Sequence, residues 1–257
     1  MHASAEPEFA GLGPASVLLF AVLGLLPSCG GDGESVIDRS VRQLRDADPR
    51  VRWEALKTLR ALGPQAAAAT QALTDVLRDE DNSIRIEAAG TIRAIGPGAA
   101  KAVPQLALLL KDRDQCVVFA AIGALGAMGP SAASAVPDLI VASLDSANHD
   151  AFAMAVEKIG PGASAAVPRL VSLLEVGRNK YAASALGRVG HGTGDSIAAL
   201  TATVADRSSA MELRWVAVDS LGRIGPDARS AIPTLMAAQA DGLDNAVEAL
   251  RKIRASR

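Results

Sequence analysis

The apolar residues of this chain form short stripes that recur along its length. Each stripe leads into a glycine, with apolar residues one and four positions before it and a small residue usually eight before it. Spacings of three and four residues place these positions on one face of an α-helix. Gly-Pro dipeptides at intervals of 33, 33, 31 and 65 residues show that the stripe is part of a repeated unit. They begin at Gly63, Gly96, Gly129, Gly160 and Gly225.

Each unit is predicted to contain two helices. The stripe before the glycine forms the second, helix B, and the glycine ends it in a left-handed cap. Pro104-x-Leu106 and its equivalents open the first helix, helix A, because proline is tolerated in a first helical turn. Alanines between the glycine and this proline, such as Ala66 and Ala69, form a short helical link. The predicted fold class is therefore all-α, an α-solenoid of about seven stacked antiparallel helix pairs.

A polar turn joins helix A to helix B. Asp48 and Asp81 stand where an aspartate can accept the free N–H groups of the first turn of helix B. Arg52 and Arg85 follow four residues later, a spacing that allows an ion pair along one helix face. The next three units lack this arginine, and we expect any bend or specialisation of the array around the last two, beside His191, which replaces the proline of Gly-Pro. They have Val118, His149 and Asn179 at that position.

These residues carry a resemblance to a known family. The run Asp48-x-x-Val51-Arg52-x-x-Ala55-x-x-x-Leu59-x-x-Leu62-Gly63 resembles the HEAT repeat, and it is most similar to the short subtype first noted in the phycobilin lyases of phycobilisomes. The segment 81–96 matches again, and the resemblance covers residues 35–253. It implies a HEAT-like superhelix whose B helices line the concave side.

One face of helix B carries the main functional signal. With the position eight before the glycine facing the core, positions ten, six and three before it point away from the core. Large apolar side chains at the tenth-before position favour a groove for a partner's helix or extended segment. Packing between neighbouring B helices remains an equal alternative at Trp53 and Phe119, and is preferred at Trp215. The candidate partner-binding residues are Trp53, Lys57, Arg60, Ile86, Arg93, Phe119 and Trp215.

Glycines also occur in the middle of the B helices. Each costs about 1 kcal/mol relative to alanine in a helix interior, so each needs a reason. Close approach of neighbouring helices is one reason, and room for the backbone of a ligand is another. These glycines are Gly90, Gly123, Gly126, Gly187 and Gly222.

The N-terminal segment differs from the repeats. Residues 15–26 (ASVLLFAVLGLL) form an apolar run that is typical of a signal-peptide core and short for a membrane span. The ending Leu26-Pro27-Ser28-Cys29 resembles the bacterial lipobox, which implies cleavage before Cys29 and lipidation of that cysteine. No Lys or Arg precedes Arg39, so an uncleaved apolar anchor or a later start site remain alternatives. The predicted organisation is a leader at 1–29, a flexible tether at 30–34 and a repeat array at 35–257.

Composition and charge narrow the chemistry. A net charge of −2 and a pI of about 6.0 disfavour a strongly basic nucleic-acid binder. Asp145, His149 and Asp150 come near one another in sequence, but one histidine with two carboxylates is a weak metal site, and a polar cluster at a helix start is the preferred interpretation. Cys116 has no histidine nearby and is expected to be a small, half-buried filler.

The sequence therefore predicts a non-catalytic scaffold for protein–protein interaction, with no cofactor or metal. Its partner is an unknown protein or peptide segment, and Cys29 would tether it to the cell envelope as a lipoprotein. A secreted or periplasmic protein is the alternative location. The alternative functions are an enzyme-associated or regulatory subunit like those of the phycobilin lyases, a structural spacer, and a nucleic-acid-binding HEAT-like protein.

Overall fold

A computed structural model of the chain describes residues 34–191 and 193–255. Over these residues it consists of seven helix pairs, so the predicted solenoid is confirmed. Odd-numbered helices are the A helices and even-numbered helices are the B helices. They are α1 (Val36–Gln43), α2 (Pro49–Leu62), α3 (Thr70–Val76), α4 (Asn82–Ile95), α5 (Val103–Leu109), α6 (Gln115–Ala127), α7 (Val136–Ala142), α8 (His149–Ile159), α9 (Val167–Glu175), α10 (Lys180–Val189), α11 (Gly194–Ala205), α12 (Met211–Ile224), α13 (Ile232–Ala240) and α14 (Asn245–Arg254).

The predicted link between units is a 3-10 helix. It begins at the Gly-Pro dipeptide and runs for seven residues, as in Gly63–Ala69. Its alanines face the core, since Ala66 and Ala69 are buried. The same link occurs at Gly96–Ala102, Gly129–Ala135, Gly160–Ala166 and Gly225–Ala231.

The glycine that ends helix B does not form the expected left-handed cap. Gly63 has φ 55° but ψ −129°, and Gly160 has φ 76° and ψ −148°. The following proline disfavours the helical region for the residue before it, because its Cδ crowds that residue's N–H and Cβ. Glycine has no Cβ, so it can keep a positive φ and take an extended ψ. The chain therefore turns sharply from helix B into the 3-10 link.

The fifth unit shows what this proline contributes. His191 follows Gly190 in place of proline, and Gly190 has φ −86° and ψ 13°, with no positive φ. Among the described residues of this unit no 3-10 link follows, and α11 is a longer A helix of 12 residues. The loss of the proline is thus accompanied by a different connection between α10 and α11.

The hydrophobic core lies between the A and B layers. The stripe predicted for helix B is buried, as Leu59, Ile92 and Leu125 show. In the fourth unit Phe152 takes the place that alanine has in the other units, and it is also fully buried. Within the described ranges no helix is long and apolar enough to cross a membrane.

The turns before α2 and α4 are capped as predicted. Asp48 Oδ1 accepts a hydrogen bond of 2.8 Å from the backbone N–H of Arg50. Asp81 Oδ1 accepts one of 2.7 Å from Ser83. Each aspartate therefore satisfies a free donor of the first turn of its B helix.

Arg52 and Arg85 do not pair with the capping aspartates of their own helices, so that prediction is wrong. Arg52 Nε lies 2.8 Å from Asp79 Oδ2, in the turn of the next unit. Arg85 binds Asp112 through two nitrogens, each 3.0 Å from a carboxylate oxygen. The capping aspartates already accept backbone N–H groups, and unit stacking brings a second carboxylate within reach of each arginine. These half-buried pairs connect consecutive units.

Candidate functional site

The B helices line the concave side of the array, as the resemblance implied. One depression of about 1080 Å³ is lined by residues of all five even-numbered helices from α6 to α14. Arg223 on α12 also passes α10 and reaches Glu157 on α8, with Nη1 3.2 Å from Oε1. Packed helices lie about 8–10 Å apart, so these two side chains meet only because the surface curves inward.

We call this depression the C-terminal groove. Its walls combine aromatic, thioether and charged side chains. Trp215 is 50% exposed and Met154 is 42% exposed, while Tyr181 beside them is half-buried. The expectation that Trp215 packs between helices is therefore wrong. Other groove residues are Gly126, Glu157, Lys158, Lys180, Ser184, Arg188, Glu212, Asp219, Arg223 and Asn245.

A polar network ties three B helices together across this groove. Arg223 contacts Glu157, and its Nη2 lies 2.8 Å from Asp219 Oδ2. Ser184 on α10 donates a 2.8 Å hydrogen bond to the same Glu157 carboxylate. The network thus links charged side chains of α8, α10 and α12 across the groove.

An ion pair between Lys180 and Glu212 lies at the edge of the groove. Lys180 Nζ lies 2.7 Å from Glu212 Oε1 and 5.4 Å from the centroid of the Tyr181 ring. The hydrogen bond and the charge of Glu212 raise the pKa of Lys180 above its usual value. The Lys180 ammonium group therefore lies between a carboxylate and an aromatic ring.

A smaller concavity of about 500 Å³, which we call the N-terminal groove, lies over α2, α4 and α6. Phe119 is 56% exposed there. Arg60 Nη1 lies 3.0 Å from Glu87 Oε1. Ile86 and Arg93 complete its wall.

The predicted partner-binding residues do not form a single site. Trp53 is half-buried against the core and lines a separate shallow depression beside Arg50 and Ser83. Lys57 is exposed, with Nζ 3.3 Å from Glu54 Oε1. Trp215 belongs to the C-terminal groove. The N-terminal groove contains Arg60, Ile86, Arg93 and Phe119.

The mid-helix glycines have two structural explanations. A Cβ on Gly126, Gly187 or Gly222 would lie 3.0, 2.7 or 3.0 Å from a Cα of the neighbouring B helix. Close helix approach therefore explains these three. At Gly90 and Gly123 the nearest atoms belong instead to arginines of the preceding B helix, Arg60 and Arg93. These two glycines leave space for arginine side chains to lie across the helix.

Several residues of the C-terminal groove were not predicted from the sequence. Tyr181 stands nine positions before Gly190, and Arg188 and Arg223 stand two before their glycines. These positions lie roughly 100–120° from the core-facing position, outside the three that are predicted to point away from the core. On a concave surface such flanking positions also point into the groove. A wider stripe in the sequence reasoning would have included them.

The residues considered for metal binding contact other groups of the protein, and the cysteine is exposed. His149 Nε2 lies 3.1 Å from the guanidinium of Arg169, which would repel a cation. Asp145 caps a short helix through the N–H of Ala147. In the part of the chain that the structure describes, no group of three or more His, Cys, Asp or Glu is placed to hold a metal ion. Cys116 is exposed, so the expected half-buried position is wrong.

An α-solenoid with grooves on its concave face defines a repeat scaffold of the HEAT and armadillo type. The family model described as HEAT repeats matches residues 17–93 and 70–160, together more than half of the chain. The chain belongs to the HEAT-repeat family.

Solved structures show the same fold. A chain of the CpcE–CpcF phycocyanin lyase complex from Nostoc sp. PCC7120 is 24% identical, with a TM-score of 0.51, and the match covers 89% of this chain and 97% of that one. A designed armadillo repeat protein in complex with the peptide (KR)4 is 18% identical, with a TM-score of 0.50 and coverage of 86% and 100%. A chain from a study of the cadherin–β-catenin interaction is 16% identical, with a TM-score of 0.57 and coverage of 85% and 55%. No curated protein matches the sequence.

Proposed function

We propose that this protein is a non-catalytic scaffold that binds a protein or peptide segment on its concave face. The supporting observation is that Phe119 and Trp215, both on B helices, are at least half exposed within grooves. Aromatic side chains supply large contact areas and often carry most of the binding energy of an interface. Exposed in a concavity, they favour a site for a partner.

Photo-crosslinking in the native cells tests this proposal. We expect p-benzoylphenylalanine in place of Phe119 or Trp215 to give discrete crosslinked protein species. Matched controls carry the same group in place of Leu108 or Val141, which are similarly exposed but lie on the A helices α5 and α7. Absence of crosslinks at the two concave positions, or the same products at all four, would contradict the proposal.

A second candidate is an enzyme-associated subunit. Its support is the match over nearly the whole length of a phycocyanin lyase chain. In this case the partner crosslinked through Phe119 or Trp215 would be an enzyme, and its activity would depend on the presence of the scaffold. Activity of the isolated partner at an unchanged rate would argue against this candidate.

We further propose that Cys29 is lipidated and tethers the protein to the cell envelope, with secretion or periplasmic location as the alternative. Cys29 lies outside the described residues, and the proposal rests on the apolar run 15–26 and the lipobox-like ending. We expect the parent to partition into the detergent phase of Triton X-114 and Cys29→Ala to lose this behaviour. Cys116→Ala is the matched control and should behave like the parent. Detergent partitioning by Cys29→Ala would overturn lipidation.

A further inference from the structure

We propose that the C-terminal groove selects an acidic segment that carries bulky apolar side chains. This inference rests on the proposed scaffold function and adds the chemistry of its partner. It follows from which charges of the groove are already neutralised within the protein and which remain free.

The carboxylates of the groove are all engaged. Glu157 and Asp219 both contact Arg223, at 3.2 and 2.8 Å. Glu212 contacts Lys180 at 2.7 Å. A basic partner would therefore meet carboxylates whose charge is already balanced by a guanidinium or an ammonium group of the protein. The groove offers no free negative charge within its lining.

Two cations of the groove have no such partner. Among the described residues, Lys158 and Arg188 form no ion pair or hydrogen bond, and both are exposed. They occupy the same register position on α8 and α10, and each lies across a glycine of the preceding unit. Lys158 Cδ is 3.8 Å from the place of a Cβ on Gly126, and Arg188 Nε is 3.6 Å from that on Gly160. Unpaired cations on a concave wall attract and orient carboxylates.

The apolar part of the groove lies beside these cations. Trp215 and Met154 present exposed surface, and Tyr181 adds a half-buried ring. At about 8–10 Å per helix, the distance from α6 to α14 is roughly 30–40 Å. An extended peptide rises about 3.3 Å per residue, so roughly ten to twelve residues would span the groove. The occupant is thus a short segment with both carboxylates and large apolar side chains.

The N-terminal groove repeats this chemistry on a smaller scale. Its carboxylate, Glu87, is paired with Arg60 at 3.0 Å. Arg93 has no ion pair within the described ranges and stands near the exposed Phe119. The concave face therefore offers free positive charge beside an aromatic side chain in both halves.

Fluorescence anisotropy with labelled peptides tests the charge preference on the full-length protein. The probes are GEDLFEDLFEDG, its charge-reversed form GKKLFKKLFKKG, and GEDSSEDSSEDG, which lacks the apolar side chains. We expect the first to bind at least tenfold more tightly than either of the others. We also expect its affinity to fall as salt is raised, because exposed charges are screened. Equal or tighter binding of the lysine peptide, or no measurable binding of the first peptide, would overturn the inference.

Charge-reversal variants test whether Lys158 and Arg188 cause the preference for the acidic peptide. We expect the double variant Lys158→Glu, Arg188→Glu to reverse the preference between the acidic and the lysine peptide. The control is Lys101→Glu with Arg229→Glu, which makes the same charge change on exposed residues of the 3-10 links and should leave the preference unchanged. An acidic preference that survives in the first double variant would overturn the inference.

The two proposals fail in distinguishable ways. If the lysine peptide binds more tightly than the acidic one, and Trp215→Ala weakens that binding, the groove binds peptides but the acidic preference is wrong. Failure of the scaffold function itself would appear as the absence of crosslinks at Phe119 and Trp215. Circular dichroism of each variant verifies that the helical array is intact.

Discussion

Phe152→Ala is expected to lower the free energy of unfolding by about 3–5 kcal/mol, the usual cost of replacing a buried phenylalanine by alanine. The expectation opposes a consensus argument, by which a change toward the common residue of a repeat stabilises it. In the structure Phe152 is among the largest fully buried side chains, so its removal leaves a cavity in the fourth unit. The five other units with this register have Ala55, Ala88, Ala121, Ala182 and Ala217.

Equilibrium urea unfolding followed by far-UV circular dichroism measures this effect. Met154→Ala is the matched control, since Met154 is on the same helix but 42% exposed, and it should change stability by less than about 1 kcal/mol. Similar losses for both variants, or a Phe152→Ala protein as stable as the parent, would show that the fourth unit closes around the smaller residue.

The contrast between buried and exposed positions on one helix explains why the fold could be predicted. An amphipathic stripe such as Leu59, Ile92 and Leu125 has a local cause, because each helix needs one apolar face to pack on its neighbours. The Gly-Pro dipeptides then mark where each unit ends. Stacking of similar units requires little further long-range information, so helix number and order followed from the sequence. Phe152 fits this stripe, but its unusual size showed its importance only once its surroundings were known.

The carboxylate with which each arginine pairs was harder to predict from the sequence. Arg52 has Asp48 four residues before it and Asp79 27 residues after it. For a single helix, the nearer carboxylate is the expected partner. Asp48, however, already caps the helix, and the stacking of units brings Asp79 into contact with Arg52. The recurrence of an aspartate 27 residues after the arginine, at Arg85 and Asp112, was the available signal.

The sequence predicted outward aromatic side chains on the B helices, but not which residues share a groove. Phe119 and Trp215 occupy such outward positions, and both lie in grooves there. Which side chains share a groove depends on curvature, and curvature depends on how closely neighbouring B helices approach. The sequence shows Gly126 and Gly187 but not the distances across them. The larger groove extends from α6 to α14, a stretch that includes the three units without the arginine.

Gly187→Ala is expected to destabilise the protein by about 2 kcal/mol. A Cβ on Gly187 would lie 2.7 Å from Ser220 Cα on α12, and a backbone atom cannot move aside as a flexible side chain can. Overpacking costs about 1–3 kcal/mol, with backbone contact at the upper end, and the better helix propensity of alanine offsets about 1 kcal/mol of it. Because α10 and α12 would have to separate, we also expect weaker binding in the C-terminal groove.

A graded series of glycine substitutions checks this interpretation by urea unfolding. Gly222→Ala should have an intermediate effect, since its Cβ would lie 3.0 Å from Ala249 Cα on α14. Gly194→Ala is the matched control, because a Cβ there meets nothing within 4 Å, and it should leave stability unchanged or slightly raised. If Gly187→Ala were as stable as Gly194→Ala, then α10 and α12 would not be in close approach. The curvature that forms the C-terminal groove would then need another cause.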